Sequence, residues 1–110
     1  MRVAITTENN QQIFNEVLLK SQVEKVTVDL TNWCEDNGDV VTAEWSTITG
    51  NVSVSNDSDS ANVLTAYLNA DDAGNSLIRC KVTTSEAVYV VLICVLVRDP
   101  NVSTGDYKIV

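Results

Sequence analysis

Fifteen carboxylates, three thiols and no histidine define the chemistry open to this 110-residue chain. Without imidazole there is no Ser-His-Asp triad, no Cys-His dyad, no histidine zinc site and no proton switch near neutrality. Carboxylates remain, as Asp57 with Asp59 and as Asp71 with Asp72. Counted from Asp57 as a calcium loop, position six is Asn62 and position twelve is Leu68, where the loop needs glycine and a bidentate glutamate. A glycosidase pair would need two acids across a cleft and a sugar platform, and six aromatic residues supply little of one. Cys34, Cys80 and Cys94 lie too far apart for a C-x-x-C motif. The reading is non-enzymatic, with no catalytic residue, no metal and no cofactor.

The charge balance excludes a further class. Seven bases against fifteen acids leave a net charge of −8, which gives nucleic acid no basic footprint to bind. The longest apolar run, Ala87 to Val97, has 11 residues and falls short of the ~20 that span a bilayer. The N-terminus runs from Met1 into the polar stretch Thr6 to Gln12 with no apolar signal core, so the expectation is folding in a reducing cytosol. The cysteines then pack as small hydrophobes, with a Cys34–Cys80 bridge left open.

The elements follow from a period of two after residue 23. Val26, Val28 and Leu30 alternate with polar neighbours; Val41, Ala43 and Trp45 share one face of a strand at about 40–48; Leu64, Ala66 and Leu68 share another. Ile78, Cys80 and Val82 point inward from a strand at 76–84. Glu35 to Asp39, Asn56 to Ser60 and Asp71 to Asn75 read as turns or polar loops. Trp45, Leu64, Leu68, Ile78, Cys80 and Val82 are the expected core. Short strands at regular spacing indicate a β-sandwich over 23–99. Ahead of it, 1–22 forms a short helix or an extended arm, since Ile13, Phe14, Val17 and Leu18 fit helical spacing while Ile13, Val17 and Leu19 fit period two. Behind it, 100–110 is a solvated tail or an arm that adds a strand to a neighbour.

Ala87 to Val97 is apolar on both alternating faces. If Val88, Val90, Leu92, Cys94 and Leu96 enter the core, then Tyr89, Val91, Ile93, Val95 and Val97 form a second apolar face that needs cover. The cover is either the N-terminal segment, through Ile13, Phe14, Val17 and Leu18, or another subunit. Trp33, beside the acidic turn, is either a lid on the core or part of a contact surface.

The stretches Val26-Thr27-Val28-Asp29-Leu30-Thr31-Asn32-Trp33, Asn37-Gly38-Asp39-Val40-Val41 and Ala43-Glu44-Trp45-Ser46 resemble a family of small bacteriophage fibre-type proteins with a V-D-x-S-x-W-L … G-D-x-I … x-x-W-x-V pattern. Asp72-Ala73-Gly74-Asn75 and Val82-Thr83-Thr84 continue the likeness, which covers roughly 24–98. The family's G-R after the threonine pair is replaced by Glu86-Ala87, so the final hairpin is expected to differ. The resemblance implies an all-β immunoglobulin-like sandwich of about seven antiparallel strands. It also implies a structural virion protein, a head decoration or fibre-type subunit, bound to the major capsid or tail protein and homo-oligomeric on the particle. A neck, tail or baseplate component is one alternative. A host-surface recognition module using Trp33, Tyr67, Tyr89 and Tyr107 is another.

Overall fold

Side-chain alternation fixes which residues enclose the core. The computed structural model describes residues 2–4 and 11–99. In chain order the elements are β1 (Arg2–Ala4), β2 (Gln11–Leu19), β3 (Val23–Asp29), α1 (Thr31–Asn37), β4 (Val40–Thr49), β5 (Val52–Ser60), β6 (Val63–Ala70), β7 (Gly74–Thr84) and β8 (Val88–Arg98). Two four-stranded sheets face each other, one in the order β1-β3-β6-β5 and the other β2-β8-β7-β4. Val26 and Val28 lie opposite Ala66 and Leu64 in the first sheet; Ile78, Cys80 and Val82 lie opposite Ile93, Val91 and Tyr89 in the second. All of these are buried, so the expected core residues Leu64, Leu68, Ile78, Cys80 and Val82 hold their places. Trp45 packs against that core half-buried, on the edge strand β4.

The final strand inverts the sequence expectation. Tyr89, Val91, Ile93, Val95 and Val97 form the buried face, and Val88, Val90, Leu92, Cys94 and Leu96 look outward. Period two could not choose between two apolar faces, and the hairpin chooses. Arg79 and Lys81 force the other parity of β7 inward, and the short loop after Thr84 pairs Thr83 with Val88 and hence Val82 with Tyr89. Thr84 holds that loop: its hydroxyl accepts from the Ala87 and Glu86 amides at 2.9 and 3.1 Å and donates to the Asn37 carbonyl at 2.6 Å.

The N-terminal segment takes the extended alternative. β2 runs parallel to β8, with Ile13 beside Leu92 and Val17 beside Leu96. Leu18 is buried and Phe14 packs on the core, whereas Ile13 and Val17 are 58% and 56% exposed. The segment therefore extends the sheet sideways and does not cover its outer face. β1 joins the other sheet beside β3, so described parts of 1–22 supply strands of the sandwich itself.

Three local readings change. Residues 31–37 form a helix where a strand end and turn were expected; Asp29 Oδ1 accepts the Thr31 amide at 3.0 Å, and Gly38, at φ 84°, closes the helix by donating to the Cys34 carbonyl at 3.0 Å. Residues 56–60 belong to β5, with a bulge between Ser55 and Ser58 absorbing the polar run. A second bulge, between Val40 and Thr42, turns Val41 out to 65% exposure instead of inward with Ala43 and Trp45. The expected tail, 100–110, lies outside the described residues.

Candidate interaction surface

The acids do not assemble into a site. Asp57 and Asp59 sit on β5, while Asp72 pairs with Lys20 at 3.6 Å in the β6–β7 turn. Among the described residues no three acidic or thiol side chains group closely enough to hold a metal ion. The thiols are free. Burial, reinforced by the charge of Asp57, pushes the Cys80 thiol up to about 12; burial and then Asp39 push Cys34 up, against a backbone hydrogen bond at Val40 that lowers it. Neither forms thiolate readily at neutral pH, and both pack as the small hydrophobes the sequence suggests.

Trp33 is a lid on the core. The α1 helix lays it over one end of the sandwich, where it is buried and meets Tyr89 edge-on, with ring centroids 5.1 Å apart and planes at 71°. Its indole N–H has no hydrogen-bond partner among the described residues. Tyr89, Val91, Ile93, Val95 and Val97, read from sequence as interface candidates, are likewise core, for the hairpin reason above. Leu18 joins them. Of the candidate interface residues, Ile13 and Val17 are exposed and Phe14 is half-buried.

The apolar surface lies on the opposite parity. Strand registers align outward-facing rows across the second sheet: Ile13–Leu92–Arg79–Ser46, Asn15–Cys94–Leu77–Thr49 and Val17–Leu96–Asn75. Ile13, Val17, Leu77, Leu92, Cys94 and Leu96 thus form one stripe along β2, β8 and the adjoining part of β7. A groove of about 430 Å³ runs beside Val17, Leu77, Cys94 and Leu96. Arg79 and Lys81 border the stripe, with Glu44 opposite Lys81, and Arg98 stands at its end. The face is therefore locally basic on a chain of net charge −8. Sequence pattern located the apolar strand but put the stripe on the wrong parity; counting residues from the β7 charges through the hairpin would have corrected it.

Among the described residues no helix is long and apolar enough to cross a membrane. No family profile matches the chain, and no curated protein matches it. Solved structures do. A cysteine protease inhibitor from Entamoeba histolytica is 14% identical, with 87% of this chain aligned to 97% of that one at a TM-score of 0.52. Titin domain M7 is 17% identical over 77% of this chain and 87% of its own, also at 0.52. A 2,6-sialyltransferase from a Photobacterium species is 15% identical at a TM-score of 0.56. There 86% of this chain spans only 19% of the enzyme. At such identities the likeness is one of fold.

Proposed function

From an immunoglobulin-like sandwich whose interior is filled by side chains, we propose a non-enzymatic structural subunit of a bacteriophage virion. It is a head decoration or fibre-type protein that docks on the major capsid or tail protein. The observation that carries the reading is the stripe through Ile13, Val17, Leu92 and Leu96, an apolar band on the outside of a sheet whose inner face already packs the core. Apolar bands of this kind are what protein contacts cover. The motif likeness to phage fibre-type proteins supplies the virion context. Weak contacts repeated on a symmetric lattice would add through avidity, and the acidic remainder of the surface would keep a dense array soluble. Neither nucleic acid nor membrane is a partner in this reading.

Quantitative mass spectrometry of gradient-purified particles from the source host tests it. Lattice stoichiometry supports decoration; ring or tail stoichiometry moves the protein to the neck, tail or baseplate; absence refutes the virion reading and leaves host-surface recognition. Recognition has few aromatics to use, since Trp33 and Tyr89 are buried. Ile13→Glu with Val17→Glu, both at exposed positions, should abolish incorporation while leaving the melting temperature near wild type.

A further inference from the structure

Among the described residues the sandwich has four sheet edges, and they differ in fitness for pairing. β1 is three residues long. β4 carries two register shifts, and β5 carries one next to Asp57 and Asp59. Bulges, charges and short strands are the devices that keep edges from pairing. β2 carries no bulge: nine consecutive residues, Gln11 to Leu19, pair with β8 without a shift. Among the described residues nothing pairs with its far side.

The direction of its amides is fixed by three bonds. Lys20 N–H donates to the Arg98 carbonyl at 2.8 Å, toward β8. The Val17 and Leu19 amides instead reach side chains, Glu16 Oε1 at 3.3 Å and Gln22 Oε1 at 2.9 Å. Even residues of β2 thus bond inward to the sheet, and Ile13, Asn15 and Val17 turn their main-chain groups to the free edge, while those of Leu19 are taken by the Gln22 side chain and amide. The midpoint of the strand is Asn15.

We propose that β2 pairs antiparallel with β2 of a second copy, about a twofold axis at Asn15, to make one continuous eight-stranded sheet. In this register Ile13 lies opposite the partner's Val17, Val17 opposite the partner's Ile13, and Asn15 opposite the partner's Asn15. All three are pairs that exchange both main-chain bonds. The apolar cross-strand pairs fall on the outer face, where both residues are more than half exposed in one copy. Moving the axis to Ile13 or Val17 carries pairing beyond the ends of the strand. Electrostatics favours this side as well: Glu16 is the one acid on β2 and β8 has none. The α1 end, by contrast, would bring together Glu35, Asp36, Asp39 and Glu86 of each copy. Glu16 must release the Val17 amide for the strands to join. The interface is one strand edge, short of the about 1,000 Å² that a stable contact clears, so the dimer is a weak one. It places the apolar stripes of two copies side by side, which deepens the homo-oligomer part of the reading above without requiring a virion.

Sedimentation velocity over roughly 1–500 µM and thiol cross-linking test it on the whole chain. In a Cys94→Ser background, Asn15→Cys should give a disulfide-linked dimer under mild oxidation, because residues of a hydrogen-bonded antiparallel pair lie about 5.5 Å apart at Cα, within disulfide reach. Ile13→Cys should not link to itself, its two copies being offset by about 14 Å. Mixed with Val17→Cys it should form the heterodimer. A monomer at the highest concentration overturns the proposal, and so does self-linking of Ile13→Cys as efficient as that of Asn15→Cys. Either failure leaves particle incorporation, and hence the virion reading, untouched.

Discussion

Thr84→Val removes a hydroxyl while keeping the branched shape, at a position only 6% exposed. That hydroxyl ties the α1–β4 connection to the β7–β8 hairpin: it donates to Asn37 O and accepts from Ala87 N and Glu86 N. The substitution loses these bonds and leaves at least one backbone group unsatisfied where water enters poorly. A lost bond is worth about 1 kcal/mol and a stranded buried group about 1–3 kcal/mol, so the expected loss is about 3 kcal/mol. With an unfolding entropy of about 2.1 cal/mol/K per residue, that lowers Tm by about 13 °C for a chain of this length. Urea unfolding followed by tryptophan fluorescence reads the change, since Trp33 sits on the element being released. Thr84→Ser keeps the hydroxyl and should lose less than about 1 kcal/mol, the methyl contribution alone. Thr83→Val, on the outward parity of the same strand, should stay within about 0.5 kcal/mol. If Thr84→Val is as mild as Thr83→Val, the hydroxyl does not hold the hairpin, and the account of how β8 acquires its phase fails with it.

Gly50→Ala should destabilise by more than about 2 kcal/mol, because its φ is 91° and an added Cβ would overlap Ser76 Oγ and lie 2.5 Å from Asn75 O; a chemical-denaturation midpoint near wild type would contradict this. Ala61→Gly should stabilise by about 1 kcal/mol, since Ala61 sits at φ 51° in the β5–β6 turn, a left-handed conformation that costs an L-residue about that much; thermal melts check the sign. Alkaline pH should destabilise the fold in a defined window. Cys80 ionises near its ordinary 9.0 when unfolded but only at about 12 when folded, so between these values the unfolded state has lost a proton that the native state keeps. Stability is therefore fully present below pH 9 and falls as pH rises toward 12, at up to about 1.4 kcal/mol per unit. Cys34 acts in the same direction, and Cys80→Ala should flatten the slope in pH-dependent urea titrations.

Strands that bury one face were legible in the sequence because a charged residue marks the other. Lys25, Thr27 and Asp29 leave Val26 and Val28 no choice, and Arg79 with Lys81 does the same for Ile78, Cys80 and Val82. Legibility failed where that contrast is missing. Ile13, Phe14, Val17 and Leu18 satisfy a helical spacing, yet a strand of alternating exposure forms because β8 offers a free edge beside it, a long-range condition invisible in a local window. The α1 helix carries little local signal, since Thr31 to Asn37 has no side-chain cap at Leu30 and no basic residue in its last turn. Tertiary burial of Trp33 and Cys34 stabilises it instead. Val41 alone leaves the face it would share with Ala43 and Trp45, because it is the extra residue of a bulge, and a bulge leaves no mark in composition.

The docking stripe follows from the same ambiguity in β8. A strand that is apolar on both faces has its inner parity chosen by the hairpin, and whatever remains becomes surface. Leu92 and Leu96 are only half-exposed because Ile13 and Val17 flank them, so β2 supplies the accessible rim of the stripe and β8 its floor. The two parities should therefore respond oppositely to one chemical change. Val91→Thr and Val95→Thr place a hydroxyl in the buried core and should each destabilise by about 2 kcal/mol. Val90→Thr, on the outward parity, should cost less than about 0.5 kcal/mol. Denaturation of the three variants side by side reads the phase of β8 directly. Equal losses at Val90 and Val91 would mean that both faces are buried in solution, so the stripe would already have an occupant when the protein is free. The reverse order, with Val90 the more sensitive, would put Tyr89, Val91, Ile93, Val95 and Val97 on the surface and return the docking face to the parity that the sequence first suggested.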